Sequence, residues 1–86
     1  MSEENVVEVG RVTHFFSKIS VAVVELVAPL SIGDTIVIKG PTTDLEQVIE
    51  SMQIEYKNVQ RAAAGQSIGL KVAQRVREKD MVYKKL

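Results

Sequence analysis

The chain has 86 residues, of which 45% are hydrophobic and 26% charged, with eleven basic side chains, eleven acidic ones and no cysteine. This length allows one domain with a modest core, and the missing cysteine excludes disulfides, thiolate zinc sites and cysteine nucleophiles. We expect a single domain over residues 1–86 with a flexible start at residues 1–5. The acidic start lacks the features of a secretion signal, and the longest apolar stretch, residues 19–30, is too short to cross a bilayer. These features predict a cytoplasmic protein with no membrane contact.

The first two predicted strands form a hairpin. The runs NVVEVGRVTHFF (residues 5–16) and KISVAVVELVA (residues 18–28) are rich in valine, whose branched side chain favours a pleated sheet. Only a short connection around Ser17 separates them, and such a connection favours antiparallel pairing of the two runs.

A turn and a third strand follow in LSIGDTIVIKG, residues 30–40. Gly33 and Asp34 raise three possibilities: a phosphate-binding loop, a metal site or a turn. A phosphate loop needs further glycines, a Lys-Ser/Thr pair and a following helix, and a metal site needs more carboxylates than Asp34 supplies. We therefore interpret the pair as a turn that leads into a strand, in which Ile36 and Ile38 face the same side.

The segment TTDLEQVIESMQIEYKN, residues 42–58, fits two patterns. The spacing of Leu45, Val48 and Met52 is typical of a helix, and Asp44 is a residue type that caps helices. From Val48 onwards, however, apolar residues also recur with a period of two, which is typical of a strand. Periodicity alone leaves helix and strand equally open.

The last part of the chain predicts two further strands. In IGLKVA, the side chains of Ile68, Leu70 and Val72 share one face. After a polar turn, MVYKKL (residues 81–86) is the final strand. If residues 42–58 also form a strand, the chain has six strands, and a closed barrel is the arrangement that leaves no edge exposed.

Four stretches, taken in this order, resemble a known type of barrel: VGRVTHFF…KISVAVVEL, LSIGDTIVIKG, SMQIEYKNVQRAAAGQSIGLKV and VREKDMVY. Together they span roughly residues 6–84 and are similar to the second domain of translational GTPases of the elongation factor Tu class. A similar barrel closes the C-terminus of the collagenase-like peptidase family, some members of which take part in RNA base hydroxylation.

The resemblance implies an all-β fold, namely a small six-stranded antiparallel Greek-key closed barrel of the translation-protein domain 2 type. It also implies that EQVIESMQIEYK (residues 46–57) is one long strand. The pocket for the tRNA end is not carried over, because Ser51, Ile54 and Ser67 stand where that family has a glutamate, a basic residue and an asparagine. An apolar Ile54 cannot replace a guanidinium donor.

The charges are unevenly distributed along the chain. Residues 1–56 hold three basic and nine acidic side chains, net −6, whereas residues 57–86 hold eight basic and two acidic ones, net +6. Either the two halves interleave in the fold and the charges mix, or the basic half attracts anions. In the second case we predict an RNA contact, since cations that neutralise phosphates gain affinity from counterion release. Its residues are Lys57, Arg61, Lys71, Arg75, Arg77 and Lys79.

A second candidate contact lies in the first hairpin. His14 is the only histidine, and no nucleophile or orienting partner is indicated for it, so we interpret it as a surface residue. Phe15 and Phe16 point to opposite faces of a strand, which allows one to pack in the core while the other is exposed. We predict that His14, Phe15 and Phe16 contact a partner by stacking, with the alternative that the exposed ring covers one end of the barrel.

These observations predict a stand-alone translation-factor-like barrel that is not an enzyme. We expect no catalytic residue, no metal, no cofactor and no nucleotide. The expected partners are tRNA, rRNA or a ribosome-associated protein of the translation or RNA-modification machinery. The alternative is a protein–protein adaptor, or a barrel that forms homo-oligomers, without nucleic-acid binding.

Overall fold

The computed structural model describes residues 5–86, which form antiparallel strands. The valine-rich runs give the predicted hairpin, β1 (Val6–Phe16) and β2 (Val21–Leu26). The Gly33-Asp34 turn lies between β3 (Leu30–Ser31) and β4 (Thr35–Gly40). The remaining strands are β5 (Thr43–Val48), β6 (Met52–Ile54), β7 (Lys57–Val59), β8 (Arg61–Ala62), β9 (Ser67–Lys71) and β10 (Met81–Lys85).

Eight of the strands form one sheet in the order β5-β4-β10-β1-β2-β9-β6-β7, and β3 pairs with β8 in a separate two-stranded sheet. The last strand, β10, therefore lies between β1 and β4 and brings the basic end of the chain beside its acidic half. None of residues 5–86 is helical, so this part of the chain has no helix that could cross a membrane.

The flexible start predicted for residues 1–5 lies almost wholly outside the described residues, which begin at Asn5. The carbonyl of Asn5 accepts a hydrogen bond from the amide of Leu86 at 2.9 Å. This bond places the first described residue beside the end of β10.

Alternating side chains build the core. Ile36 and Ile38 on β4, and Ile68 and Leu70 on β9, are at most 1% exposed, as the period of two predicts. Burying each such side chain contributes about 2 kcal/mol. The core thus joins strands from both halves of the chain.

β1 can pair along both of its edges because it bends. Its register shifts between Glu8 and Gly10 against β10, and between Val12 and His14 against β2. Such bulges add a residue to one strand and increase its twist. At the first bulge the consecutive residues Val9 and Gly10 are both buried, so the strand curls around the core.

The predicted closed barrel of six strands is wrong, although the all-β class is confirmed. Residues 5–86 form ten strands, and in this part of the chain the large sheet stays open with β5 and β7 as its edges. The long strand predicted over residues 46–57 is interrupted at Ile49. The amide of Ile49 donates to the carbonyl of Asp34, and its carbonyl accepts from the amide of Gly33, both at 2.9 Å. Both backbone groups of Ile49 therefore bond to the Gly33-Asp34 turn, and β5 ends before β6 begins.

The side chain of Gln47 connects the edge strand β5 to the end of β9 and the residues that follow it. Gln47 donates from Nε2 to the carbonyl of Lys71 at 2.9 Å, and its Oε1 accepts from the amide of Ala73 at 2.8 Å. The carboxamide has both a donor and an acceptor, so it satisfies one carbonyl and one amide that strand pairing would otherwise satisfy.

One buried carboxylate fixes the loop before β10. Asp80 is 2% exposed, and its Oδ2 accepts from the amide of Arg77 at 2.9 Å. The backbone of Val12 forms two hydrogen bonds with this loop. Its amide donates to the carbonyl of Asp80 at 2.8 Å, and its carbonyl accepts from the amide of Lys79 at 2.7 Å. A Cβ added at Gly40 would overlap Oδ1 of Asp80, so this position on β4 requires glycine.

The turn between β6 and β7 is strained by its residue types. Ile54 pairs with Lys57, which leaves a two-residue turn of Glu55 and Tyr56 with φ values of 52° and 68°. Positive φ at both positions is typical of a type I′ turn, for which Asn-Gly is preferred. We expect the replacement of Glu55-Tyr56 by Asn-Gly to raise the free energy of unfolding by about 1 kcal/mol, measured by urea denaturation.

Loss of buried surface does not complicate this comparison, because Tyr56 is 95% exposed. The matched control places alanine at both positions. It removes the same side chains but keeps a Cβ at each positive φ, so it should give no such gain. Equal urea midpoints for the two variants would show that backbone strain is absent from this turn.

Candidate functional site

The six basic residues predicted to bind RNA are all exposed but lie on different parts of the surface. Lys57 is on β7 and Arg61 on β8. Lys71 ends β9, and the remaining three follow in the loop before β10. Arg61 and Lys71 line separate clefts. The six side chains therefore form no common groove. The three loop residues are Arg75, Arg77 and Lys79.

The two halves of the chain mix their charges, which was the alternative to a basic face. Lys84 lies 3.9 Å from Asp34, and Lys85 lies 3.0 Å from Glu46, so β10 brings basic side chains to β4–β5 and the turn before it. Arg77 donates from Nε to the hydroxyl of Thr42 at 3.0 Å. The net charge of +6 in the second half is thus partly neutralised in the fold.

The hairpin residues His14, Phe15 and Phe16 lie together at the end of β1. Phe15 is half-buried and packs against the core, while Phe16 is 47% exposed, as expected for neighbours on a strand. The rings of His14 and Phe16 lie 4.4 Å apart between centroids, and Nδ1 of His14 lies 3.5 Å from Oε2 of Glu78. A partner contact through these three residues stays a prediction.

The Gly33-Asp34 pair forms the predicted turn. Gly33 has a φ of 95°, which favours glycine. The amide of Asp34 donates to the carbonyl of Ser31 at 3.1 Å, and Oδ2 of Asp34 accepts from the amide of Ser31 at 2.9 Å. Among residues 5–86, no group of three or more His, Asp or Glu side chains could hold a metal ion.

A cleft beside this turn brings two cations close to the β3–β8 pair. β3 and β8 pair Leu30 with Ala62 and Ser31 with Arg61. Leu30 and Ala62 are buried, so alternation puts Ser31 and Arg61 on the outer side. We call this the Arg61 cleft. It has a volume of about 560 Å³ and is lined by Pro29, Ser31, Arg61, Ala62, Ala63, Gln66 and Lys84.

Sequence reasoning placed Arg61 in a basic stretch but did not bring it together with Lys84. Arg61 pairs with Ser31 on β3, a strand of two residues that carries no periodic signal. The only local indication was the Gly33-Asp34 turn, whose aspartate lies 3.9 Å from Lys84.

Comparisons with known proteins show what this fold is similar to. The chain superimposes on the C-terminal domain of a Geobacillus thermoleovorans protein classed as a U32 peptidase, with a TM-score of 0.85 and 22% identity, covering 100% of this chain and 99% of that domain. A selenomethionine form of the same domain gives a TM-score of 0.84. The chain has the fold of that C-terminal domain.

Curated relatives agree with this result. The chain is 50% identical over 78 residues to an uncharacterised protease of Methanocaldococcus jannaschii, a match covering 90% of the chain and 19% of the protease. It is 40% identical over 78 residues to a collagenase of Porphyromonas gingivalis, covering 88% of the chain and 22% of the collagenase. The chain therefore spans about a fifth of the length of these relatives. No family model matches it.

These matches correct the prediction of function. The relatives are named a protease and a collagenase, and the structural neighbour is a domain of a U32 peptidase. The expected translation-factor-like role in RNA binding is wrong, and so is the expectation that the chain stands apart from enzymes. Of the two resemblances, the findings support the C-terminal domain of collagenase-like proteins and do not support the second domain of elongation factor Tu.

Proposed function

We propose that the chain acts as the β-domain of a collagenase-type peptidase, in which it binds the polypeptide substrate for a catalytic part formed elsewhere in the enzyme. The observation that carries this proposal is the identity of 50% and 40% with a protease and a collagenase across nearly the whole chain. An open surface with shallow clefts suits an extended polypeptide, which needs many small contacts rather than one deep pocket.

A cytoplasmic site of action is a further part of the proposal. The chain contains no cysteine, a composition that agrees with a reducing compartment. Fractionation of cells that produce the native protein, with immunodetection of the chain, tests this location. Recovery outside the cytoplasmic fraction would contradict it.

The test of the peptidase role uses the Porphyromonas gingivalis collagenase. Its 78-residue matching segment is either deleted or replaced by the corresponding part of this chain, and hydrolysis of fluorescein-labelled gelatin is measured. We expect deletion to lower the rate at least tenfold and the replacement to restore at least about a third of it, because remote binding energy is used to position the substrate.

A short Gly-Ser linker in place of the segment is the matched control, because it preserves the connection without the fold. Circular dichroism and thermal melting check that each variant keeps the rest of the collagenase folded. Full gelatin hydrolysis by the folded linker variant would contradict the proposed role. So would a folded replacement variant that is no faster than the linker variant.

A further inference from the structure

We propose that the Arg61 cleft binds a carboxylate group of the polypeptide substrate, with Arg61 as the main ligand and Lys84 as the second cation. This inference rests on the proposed function and specifies the group that the domain recognises. The carboxylate comes either from the C-terminus of a peptide or from an acidic side chain within it, and the two sources share the same recognition chemistry.

The fold fixes the backbone of Arg61 beside the cleft. Its strand pairs with β3 through Leu30–Ala62 and Ser31–Arg61, and the first of these pairs is buried in the core. The backbone on both sides of the cleft is therefore anchored by apolar burial. The amide of Ile32 also donates to the carbonyl of Gln60 at 2.9 Å, which extends the pairing by one step beyond Arg61.

The charges around the cleft leave one positive charge in excess. Within residues 5–86, Arg61 forms no ion pair, whereas Nζ of Lys84 lies 3.9 Å from Oδ2 of Asp34. The same Oδ2 accepts from the amide of Ser31 at 2.9 Å. Asp34, which is fixed by its bond to Ser31, thus offsets the charge of Lys84. The positive charge of Arg61 is available to bind a ligand.

The lining fits a carboxylate on an extended chain. A guanidinium binds a carboxylate through two parallel N–H donors, a geometry that a lysine cannot reproduce. Oε1 of Gln66 accepts from the amide of Ala63 at 2.7 Å, so its Nε2 is the end of the amide that can donate to a ligand. Pro29, Ala62 and Ala63 contribute apolar lining against which a peptide backbone can lie.

The test measures peptide binding to the 86-residue chain by ¹⁵N chemical-shift titration in low salt. The probes are three acetylated Gly-Ser decapeptides: one with a free C-terminal carboxylate, one amidated, and one amidated with two central aspartates. We expect the amides of Ala62, Ala63 and Gln66 to shift with the first or the third peptide and not with the second. The first peptide distinguishes a C-terminal carboxylate from the side-chain carboxylates of the third.

Arg61→Gln should lower the affinity for the peptide that binds by about fivefold, the upper range for loss of a charge-assisted contact at an exposed site. The matched control is Lys57→Gln, which removes an exposed cation on β7 outside the cleft and should change the affinity less than about twofold. Unchanged spectra elsewhere show that both variants are folded.

Three outcomes would overturn the assignment: no shift with either acidic probe, equal shifts with the neutral amide, or equal weakening by the two variants. A larger shift of the same amides with a short oligonucleotide would also overturn it, because a phosphate would then be the preferred ligand. Failure of peptide binding together with restored gelatin hydrolysis in the replacement collagenase would reject the cleft and leave the peptidase role in place.

Discussion

Gly40→Ala is expected to lower the free energy of unfolding by about 3 kcal/mol, which is the upper range for overpacking a closely packed site. The added Cβ would overlap Oδ1 of Asp80. That oxygen cannot easily withdraw, since Asp80 is 2% exposed and its Oδ2 accepts from the amide of Arg77 at 2.9 Å. Urea denaturation followed by circular dichroism measures the loss.

Gly69→Ala is the matched control for this substitution. Gly69 also lies inside a strand, but its added Cβ would meet Cγ1 of Val21 at 3.4 Å, an ordinary contact. We expect the free energy of unfolding to change by less than about 0.5 kcal/mol in Gly69→Ala. A similar loss at both glycines would contradict the overlap with Asp80 as the cause, since strand propensity alone favours alanine.

A double-mutant cycle isolates the overlap itself. Asp80→Ala removes the oxygen that the new Cβ would meet, at the cost of the bond to Arg77. If the overlap causes the loss at Gly40, the loss of unfolding free energy in the double variant should be smaller than the sum of the two single losses. We expect the difference to be about 1 kcal/mol or more. Strict additivity would contradict this explanation.

The strands with long alternating patterns could be predicted because their signal is local. Ile36 and Ile38, and likewise Ile68 and Leu70, are separated by one residue and share the buried face in the structure. Valine content predicted the first hairpin in the same way, because β-branched side chains suit a half-buried pleated surface.

The open edge of the sheet could not be predicted, since it depends on contacts between distant residues. Ile49 bonds to Gly33 and Asp34, which lie fifteen or more positions earlier in the chain. No local pattern at Ile49 indicates that its backbone is used in this way. β3 and β8, with two residues each, are likewise defined only by their pairing with one another.

The function was misread for a related reason. Within the stretches that carried the resemblance, the recurring features are buried valines and isoleucines, turn glycines and strand alternation, and these features specify a fold. A fold of this kind can serve in unrelated proteins, and function depends on the residues added to its surface. The basic stretch that suggested RNA is spread over β7, β8, β9 and a loop, whereas the cleft beside Arg61 is created by pairing across the chain.

Gln47→Leu is expected to lower the free energy of unfolding by about 1 kcal/mol, because an apolar side chain of similar size removes the two hydrogen bonds that join a carbonyl and an amide to β5. Those groups belong to Lys71 and Ala73 and bond to Gln47 at 2.9 and 2.8 Å. Hydrogen exchange at the amide of Ala73 should accelerate most, since this amide donates to the lost oxygen. Urea denaturation measures the overall loss.

The control is Gln53→Leu, which makes the same chemical change at an exposed position. Within residues 5–86, the side chain of Gln53 bonds to the side chain of Asn58, at 3.2 Å, in its own hairpin. We therefore expect its replacement to lower the free energy of unfolding by less than about 0.5 kcal/mol. If both leucine variants lose equal stability, or if exchange at Ala73 is unchanged, the carboxamide does not connect β5 to the end of β9.

Gln47→Glu separates the donor from the acceptor at this position. A carboxylate still accepts from the amide of Ala73 but faces the carbonyl of Lys71 without a proton to donate, so the folded state should raise the pKa of the new carboxyl. The stability gained from the protonated form is present below the unfolded pKa, about 4.3, and is lost as the pH rises through the higher folded value. The free energy of unfolding of Gln47→Glu should therefore approach that of the unchanged chain as the pH falls from 7 to about 4. A deficit that stays constant over this range would show that the bond from Gln47 to Lys71 contributes nothing to holding the edge of the sheet.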